Sequence, residues 1–428
     1  MNTSTFRSII YLHLSRRSFS AGGSILALLA SASIALAQGS LTPPGPPAPT
    51  MKTLDQVEAR TPLDATHTPG DATHEFIIAQ AGSYYLTGNL NVTKDNGILV
   101  NATGVTVDLN GFQIARTSGS GHGIQVASEA ANCTIKNGSI TGFLGGGVLT
   151  GTNSAGGIIS HIIASKCAIG LYVDGEGWRI DSCNAHDNTG DGFALTDSGN
   201  TVSYCSASNN AGRGFFIGSD STILGCSAFS NRGASGIVTG SGCTLTNCTA
   251  TFNGSSSNSA SAGISTGTGC TITACTAKNN TSANTTSTGL TGGGIVAGQD
   301  STVSNCTVSN NRGDGIRIGE SGQVVGNTAS NNGISTGDGA GIYFSGDGVR
   351  IEGNNCYDND WGIQGAAETD SLIVRNSCRS NGATPVNGGT TGDYDFPTTN
   401  TFGPIVQVSG DMAANAPASS HPWTNFRY

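Results

Sequence analysis

The densest group of side chains that can do acid–base chemistry lies between residues 181 and 191. Asp181, Asp187 and Asp191 are carboxylates able to donate or accept protons or to hold a cation, and Arg213 follows them. Acidic pairs of this kind cleave glycosidic bonds when they flank one groove. A surface ion pair between Asp191 and Arg213 accounts for two of these residues without catalysis. The four residues are therefore weak catalytic candidates.

A repeated step positions these side chains. A Gly followed by an apolar residue returns about every 22 residues along the middle of the chain. The apolar members are Ile124, Val148, Leu171, Phe193, Phe215, Ile237, Ile264, Ile295, Ile316, Ile342 and Ile363. Self-similarity at this period indicates a solenoid, in which each repeat buries its apolar face against its neighbours.

The repeat predicts β-strands. It is too short and too rich in Gly, Thr and Asn for a pair of helices, and apolar residues alternate within 316–318 and 342–344. Roughly 22 residues at about 3.3 Å each form three short strands with turns, and successive coils stack about 4.8 Å apart. We expect an all-β, single-stranded parallel β-helix of roughly a dozen coils, with the Gly-apolar series in one inward column.

A second pattern, T-[IVL]-x-x-C-x-A-x-x-N, runs in phase with the first. Its cysteines are Cys183, Cys205, Cys226, Cys248, Cys275 and Cys306. Its asparagines are Asn188, Asn210, Asn231, Asn253, Asn280 and Asn311. Stacked amides hydrogen-bond to one another and to turn backbone, so the Asn column is expected to be structural.

The twelve cysteines are predicted to be mainly buried and reduced. Stacked neighbours lie about 4.8 Å apart, further than the roughly 3.8 Å between the Cβ atoms of a disulfide. Asn replaces Cys in the same column at 327, 354 and 376, which indicates an inward position for a small side chain. Two alternatives stay open. One is a disulfide between Cys356 and Cys378; the other is a soft-metal site, although the column lacks C-x-x-C pairs or a nearby His.

With this repeat, residues 75–381 resemble the right-handed parallel β-helix repeat proteins, the pectin-lyase-like superfamily. The segments 39–62 and 421–426 also resemble those of uncharacterised exported bacterial β-helix proteins. The resemblance implies architecture and leaves activity open. It also implies that an enzyme of this kind would carry clustered acidic residues, or an Arg or Lys base with calcium-binding carboxylates, on the outer face of a sheet.

The sequence Gly121-His122-Gly123 resembles one polygalacturonase motif. The Asn-Thr-Asp, Asp-Asp and Arg-Ile-Lys motifs that accompany it in that family are missing. The expectation is therefore an ordinary turn of the repeat.

A stronger binding argument comes from the outward position between the two inward residues of each Gly-apolar strand. From Leu149 to Val238 this position is mainly apolar or aromatic, where solvent-facing strands are normally polar. The carbohydrate-binding candidates are Tyr172, Phe216, Arg317 and Tyr343. Aromatic rings spaced by whole coils can stack on sugars, while Arg317 supplies charge or hydrogen bonds. Alternatively the tail, a loop or another subunit covers the stripe.

Two further surface features carry weaker hypotheses. Residues 253–262 and 280–292 interrupt the spacing and are predicted to be loops at one corner, which either border a groove or have no role. An outward threonine ladder resembles ice-binding faces but lacks its second threonine in several coils; threonine is also simply favoured in strands. The ladder consists of Thr201, Thr222, Thr244, Thr271 and Thr302.

The termini predict an exported chain. Ser15-Arg16-Arg17-Ser18-Phe19 is close to a twin-arginine motif, an apolar run follows, and Ala35-Leu36-Ala37 offers a cleavage site. An ordinary Sec signal is the alternative for the arginine pair. The expected organisation is a signal peptide at 1–37, a Pro-rich linker at 38–60, an N-terminal cap with first rungs at 61–120, repeats at 121–381 and a C-terminal tail at 382–428 that packs on or caps the helix.

Composition narrows the function. A net charge of −9 argues against nucleic acid and anionic membranes as partners. The leading hypothesis is an exported, carbohydrate-associated binding or surface protein without a catalytic motif and without a cofactor. The alternative is a polysaccharide lyase or glycoside hydrolase of the pectin-lyase-like kind, which requires Asp181, Asp187, Asp191 and Arg213 to share one groove.

Overall fold

A computed structural model describes residues 59–116, 120–233, 235–255, 261–281, 293–333, 339–365, 369–382, 392–408 and 421–428. The predicted signal peptide, almost all of the linker, half of the insertion at 253–262 and most of the insertion at 280–292 lie outside these residues. The described chain is all-β and contains no helix, hence none that could span a membrane. Its strands form two sheets, with 28 strands in sheet A and 14 in sheet B.

Sheet B contains one strand from each turn of the solenoid. Its strands are His74–Ile78, Asn96–Val100, Ile124–Val126, Gly146–Thr150, Ile169–Val173, Phe193–Leu195, Phe215–Ile217, Ile237–Thr239, Ile264–Thr266, Ile295–Ala297, Ile316–Gly319, Ala340–Ser345, Trp361–Gly365 and Tyr394–Asp395. Neighbouring strands pair in parallel, one repeat apart in the chain.

Sheet A contains the other two strands of most turns. Its strands are Thr61–Pro62, Gly82–Tyr85, Leu90–Asn91, Val105–Asp108, Gln113–Ala115, Thr134–Thr141, Ile158–Ser165, Arg179–Asp181, Asn184–His186, Thr201–Ser203, Ser206–Ser208, Thr222–Leu224, Ser227–Phe229, Thr244–Thr246, Thr249–Thr251, Thr271–Thr273, Thr276–Lys278, Thr302–Ser304, Thr307–Ser309, Gln323–Val325, Thr328–Ser330, Arg350–Glu352, Asn355–Tyr357, Leu372–Val374, Ser377–Arg379, Thr401–Phe402, Ile405–Gln407 and Asn425–Arg427. The predicted parallel β-helix is therefore confirmed, with about 14 turns.

Left-handed backbone conformations make the corners. Between the two sheet A strands of a turn, Ser182 has φ 53° and Tyr204 has φ 53°. Gly225 holds the same place one turn later, where a Cβ would meet the Tyr204 ring at 2.9 Å. One left-handed residue reverses the in–out alternation of the strand. The residue that follows each corner, Cys183 or Cys205, consequently points inward.

The Gly-apolar series forms one buried column, as predicted. Its eleven apolar residues pair in register from Ile124 to Ile363 and are fully buried. Phe193 and Phe215 show the stacking directly, since their rings are nearly parallel with centroids 4.7 Å apart. Each core residue therefore packs mainly on its equivalents in the adjacent turns.

Buried asparagines form a continuous hydrogen-bonded ladder. In a typical step the Asn210 backbone N–H and Nδ2 both donate to Asn231 Oδ1, at 3.2 and 2.9 Å, while Asn231 Nδ2 also donates to the Ala207 carbonyl at 3.1 Å. The ladder comprises Asn188, Asn210, Asn231, Asn253, Asn280, Asn311, Asn332, Asn359 and Asn381. It ends at Asp393, whose carboxylate accepts both Asn381 donors.

All twelve cysteines are buried and unpaired. In the predicted column the Cys183 backbone N–H donates to Cys205 Sγ at 3.4 Å, and the Cys183 thiol donates to backbone carbonyls. Cys356 and Cys378 are direct neighbours on adjacent strands and carry free thiols. Burial raises the pKa of Cys133 and Cys167, which keeps those thiols protonated and poorly reactive.

The C-terminal strand closes one end of the solenoid. Asn425–Arg427 lies between Ser377–Arg379 and Ile405–Gln407, although it follows both in the chain. Asn425 Oδ1 accepts from the Asn376 backbone N–H and thereby extends a second asparagine ladder. The Arg375 guanidinium lies 4.3 Å from the Trp423 ring centroid. The described tail residues therefore pack at the end of the helix.

A first prediction concerns the thiols. In the folded protein they should react slowly or not at all with a small thiol reagent, because the fold buries all twelve. Thiol counting after denaturation without a reductant should find at least the six-member Cys column free. Finding six disulfides would refute the packing argument.

A second prediction concerns the ladder. Asn231→Ala leaves both Asn210 donors and the Ala207 carbonyl without their partner, and each lost buried partner costs about 1–3 kcal/mol. We expect the free energy of unfolding to fall by at least about 2 kcal/mol, measured by urea denaturation. Thr222→Ala, an exposed strand position, is the control and should change it by less than about 0.5 kcal/mol. Equal effects of the two changes would contradict a structural ladder.

Candidate functional site

Sheet B presents one unbroken column of outward side chains, because its strands pair in register and alternate residues face outward. The column consists of Gln125, Leu149, Tyr172, Ala194, Phe216, Val238, Ser265, Val296, Arg317, Tyr343 and Gln364. All except Ala194 are half-buried. The four predicted carbohydrate-binding residues therefore lie on one face, in two groups.

The first group is centred on Ala194. Tyr172 and Phe216 are its direct neighbours in the column, so their rings lie about 10 Å apart along the helix axis. Ala194 is only 3 % exposed. Ala194 is therefore a small side chain that its neighbours cover, between two aromatic rings of the column.

Arg213 binds both Phe216 and Asp191. Its guanidinium lies 3.9 Å from the Phe216 ring centroid, while Nη2 and Nε donate to Asp191 Oδ2 at 2.7 and 3.1 Å. The Arg213 backbone N–H also donates to Asp191 Oδ1 at 2.6 Å. The predicted ion pair is therefore present, and the guanidinium occupies a face of the Phe216 ring.

The second group repeats this chemistry further along the column. The Arg317 guanidinium lies 4.5 Å from the Tyr343 ring centroid, and its Nη1 is 3.7 Å from Asp314 Oδ2. Asp314 was not among the residues predicted from the sequence. Its place in the repeat could have indicated it, since Asp314 lies three positions before Arg317 as Asp191 lies three positions before Ala194.

The other weak catalytic candidates lie elsewhere. Asp181 is at the end of a sheet A strand and accepts from the Ser203 hydroxyl at 2.6 Å. This bond holds the pKa of Asp181 below its usual value, so the carboxyl is ionised at neutral pH and is no general acid. Asp187 is an exposed corner residue that contacts His186. The structure thus joins Asp191 to Arg213 and leaves Asp181 on a different sheet.

His122 of the Gly-His-Gly sequence is hydrogen-bonded to residues of the neighbouring turns. Its Nδ1 accepts from the Gly146 backbone N–H at 2.7 Å, and its own backbone N–H donates to Asn96 Oδ1 at 2.9 Å. Burial lowers the pKa of His122, so the ring is neutral at neutral pH. These contacts fit a turn of the repeat.

The described flanks of both long insertions lie at one corner of the helix. They follow Asn253 and Asn280 of the ladder and precede the sheet B strands that begin at Ile264 and Ile295. Asp191 and Arg213 lie at the same side of sheet B, just before its strands. The described flanks of the insertions therefore border the outward column.

The described residues contain no group of three or more His, Cys, Asp or Glu side chains arranged to hold a metal ion. Aromatic pairs also occur away from sheet B. Phe229 and Phe252 are exposed and make an edge contact with ring centroids 5.9 Å apart. Tyr204 is 63 % exposed at a corner of sheet A.

Several solved structures resemble this chain. The A-module of the mannuronan C-5 epimerase AlgE4 of Azotobacter vinelandii is 16 % identical, with a TM-score of 0.47 over 70 % of this chain and 87 % of that one. The periplasmic alginate epimerase AlgG is 12 % identical, with a TM-score of 0.40 over 76 % and 79 %. The Dettilon tailspike protein is 14 % identical, with a TM-score of 0.41 over 71 % and 58 %. No curated protein sequence matches the chain.

The family comparison is more extensive. The model of the right handed beta helix region matches residues 96–250 and 261–402, which together make up more than half of the chain. The inward column and, apart from Asn253, the asparagine ladder fall within these two ranges. The chain belongs to the family of proteins with a right-handed β-helix region.

Proposed function

We propose that this chain is an exported carbohydrate-binding or surface protein, and that the outward column of sheet B contacts the glycan. The single observation that carries the proposal is the pair of half-buried aromatic rings, Tyr172 and Phe216, in an outward column where side chains are normally polar. Aromatic rings offer apolar faces for the C–H faces of sugars. Arg213 and Asp191, beside Phe216, offer hydrogen-bond donors and acceptors for hydroxyl groups.

A repeating face suits a repeating ligand. Each turn of the helix displaces the column by about 4.8 Å, so a chain molecule lying along the axis meets similar positions several times. The second group, Arg317 with Tyr343, extends the same column several turns further on. Two stacking positions on one rigid face favour a polymer over a single sugar.

Cleavage of the glycan has less support than binding. Asp191 is held by Arg213, and Asp181 lies on the other sheet and stays ionised. A pair of carboxyl groups that cleaves a glycosidic bond has to flank that bond, with one of them protonated. The two groups do not meet these conditions.

Export is the other part of the proposal. It rests on the arginine pair Arg16-Arg17, the apolar run after it and the Ala35-Leu36-Ala37 sequence. N-terminal sequencing of the protein recovered outside the cytoplasm would locate the cleavage, expected after Ala37.

A third prediction tests the column. Tyr172→Ala should weaken binding to the best ligand on a glycan array by about 1–3 kcal/mol, because a stacking ring is lost. Tyr204→Ala removes an exposed ring from sheet A and is the matched control, which should bind as the unchanged protein does. Melting curves of both variants report on the fold. If Tyr172→Ala instead lowers the melting temperature or dissociates an oligomer, the ring belongs to an interface.

A fourth prediction concerns activity. Incubation with the bound glycan should release neither reducing ends nor unsaturated products, because Asp191 is held in an ion pair by Arg213 and Asp181 lies on the other sheet. Release that disappears in Asp191→Asn would establish the enzyme alternative and contradict the noncatalytic proposal.

A further inference from the structure

The charged side chains around the outward column form a specific pattern. We define the sheet B face as three sets of residues. The first is this column, extended by Asp395, which follows Gln364 in it. The other two are the residues that lie three positions before, and two positions after, each member of the column in the sequence. The charged side chains of this face in the described chain are Asp174, Asp191, Asp314, Asp395, Arg213 and Arg317. Four carboxylates against two guanidinium groups make this face net negative.

Both arginines of the face are already paired. Arg213 donates to Asp191 through Nη2 and Nε and lies over Phe216. Arg317 is beside Asp314 and lies over Tyr343. An anionic sugar would have to compete with a carboxylate at each arginine, and its own charge would face an excess of aspartates.

An acidic polymer can also bind an acidic protein through bridging calcium. Such a bridge uses several oxygen ligands around one ion. Within the described ranges no group of three or more metal-binding side chains is assembled. Asp174, for example, accepts from the Thr196 hydroxyl at 3.1 Å on its own part of the face.

We propose that the sheet B face binds an uncharged glycan and discriminates against polyuronates. This inference rests on the proposed function and adds the class of ligand. Sugar rings stack on Tyr172, while the paired Asp191 and Arg213 beside Phe216 hydrogen-bond to hydroxyls without a net change of charge. The excess of carboxylates repels a polyuronate and does not repel an uncharged glycan, and this difference is the source of the discrimination.

Two arginines outside the sheet B face offer anions a different site. Arg232 and Arg312 lie at the corner before sheet B, in another column. A polyuronate bound at this corner would lose affinity in the double variant Arg232→Gln/Arg312→Gln. The experiment therefore includes this variant.

The test compares charged polymers with their uncharged counterparts. The probes are polygalacturonate with its fully methyl-esterified form and polymannuronate with mannan, together with neutral glucans, xylans and galactans. The full exported chain should bind at least one neutral polymer. Its affinity should change less than about twofold between about 0.05 and about 0.5 M NaCl, because salt screens only interactions between charges. Each polyuronate should bind at least about tenfold more weakly than its neutral counterpart.

A charge variant sharpens the result. Asp191→Asn/Asp314→Asn frees both guanidinium groups and should raise polyuronate affinity by about tenfold or more, with binding now sensitive to salt. Neutral-glycan affinity should not rise, because each change removes a carboxylate that accepts from hydroxyls, so the ratio of polyuronate to neutral-glycan affinity is the readout. A melting curve reports whether the variant folds. If the variant does not fold, the comparison of charged and esterified polymers on the unchanged protein decides.

The outcomes separate the two proposals. Tighter binding of polyuronates than of neutral polymers would overturn this inference and leave carbohydrate binding standing, whether or not Arg232→Gln/Arg312→Gln abolishes it. Binding to no glycan at all would overturn the proposed function and this inference with it. Neutral binding that Tyr172→Ala weakens would support both.

Discussion

The structure depends on in-register stacking of successive turns. A strand within the helix makes its backbone hydrogen bonds to the turns before and after it, so a residue's closest partner is its equivalent one repeat away. A buried polar side chain is tolerated only if that equivalent residue can receive its hydrogen bonds. Asn meets this demand because its amide donates and accepts at once. The repetition of Asn from 188 to 381 follows from this constraint.

The same constraint explains how the ladder ends. Asn381 needs an acceptor for its backbone N–H and its Nδ2, as each earlier member of the ladder does. Asp393 supplies acceptors only, and it occupies that last place. A similar logic applies to the thiols. A stacked sulfur accepts a weak hydrogen bond from the backbone N–H of the cysteine one turn earlier, and the strand spacing keeps neighbouring cysteines further apart than a disulfide requires.

Features that follow from the repeat were predictable from the sequence. The inward column and the Cys and Asn columns require only the spacing, because the fold converts spacing into contact. Features that depend on side-chain conformation were not predictable, such as the stacking of Arg213 on Phe216 or of Arg317 on Tyr343. The acidic residues 181–191 are close in sequence but turn a corner in space, and this separates Asp181 from Asp191.

The tail shows why the outward column can serve a ligand. One expectation was that the tail aromatics cover the column; in the described tail residues they pack elsewhere. The Tyr394 hydroxyl contacts the Asn376 and Phe426 carbonyls, and Phe396 packs between the Phe344 and Phe402 rings. A solenoid exposes core and unpaired backbone at its last turn, so apolar tail residues stabilise the fold most when they cover that end. Because the described tail aromatics cover the end, they do not cover the side of the helix where Tyr172 and Phe216 lie.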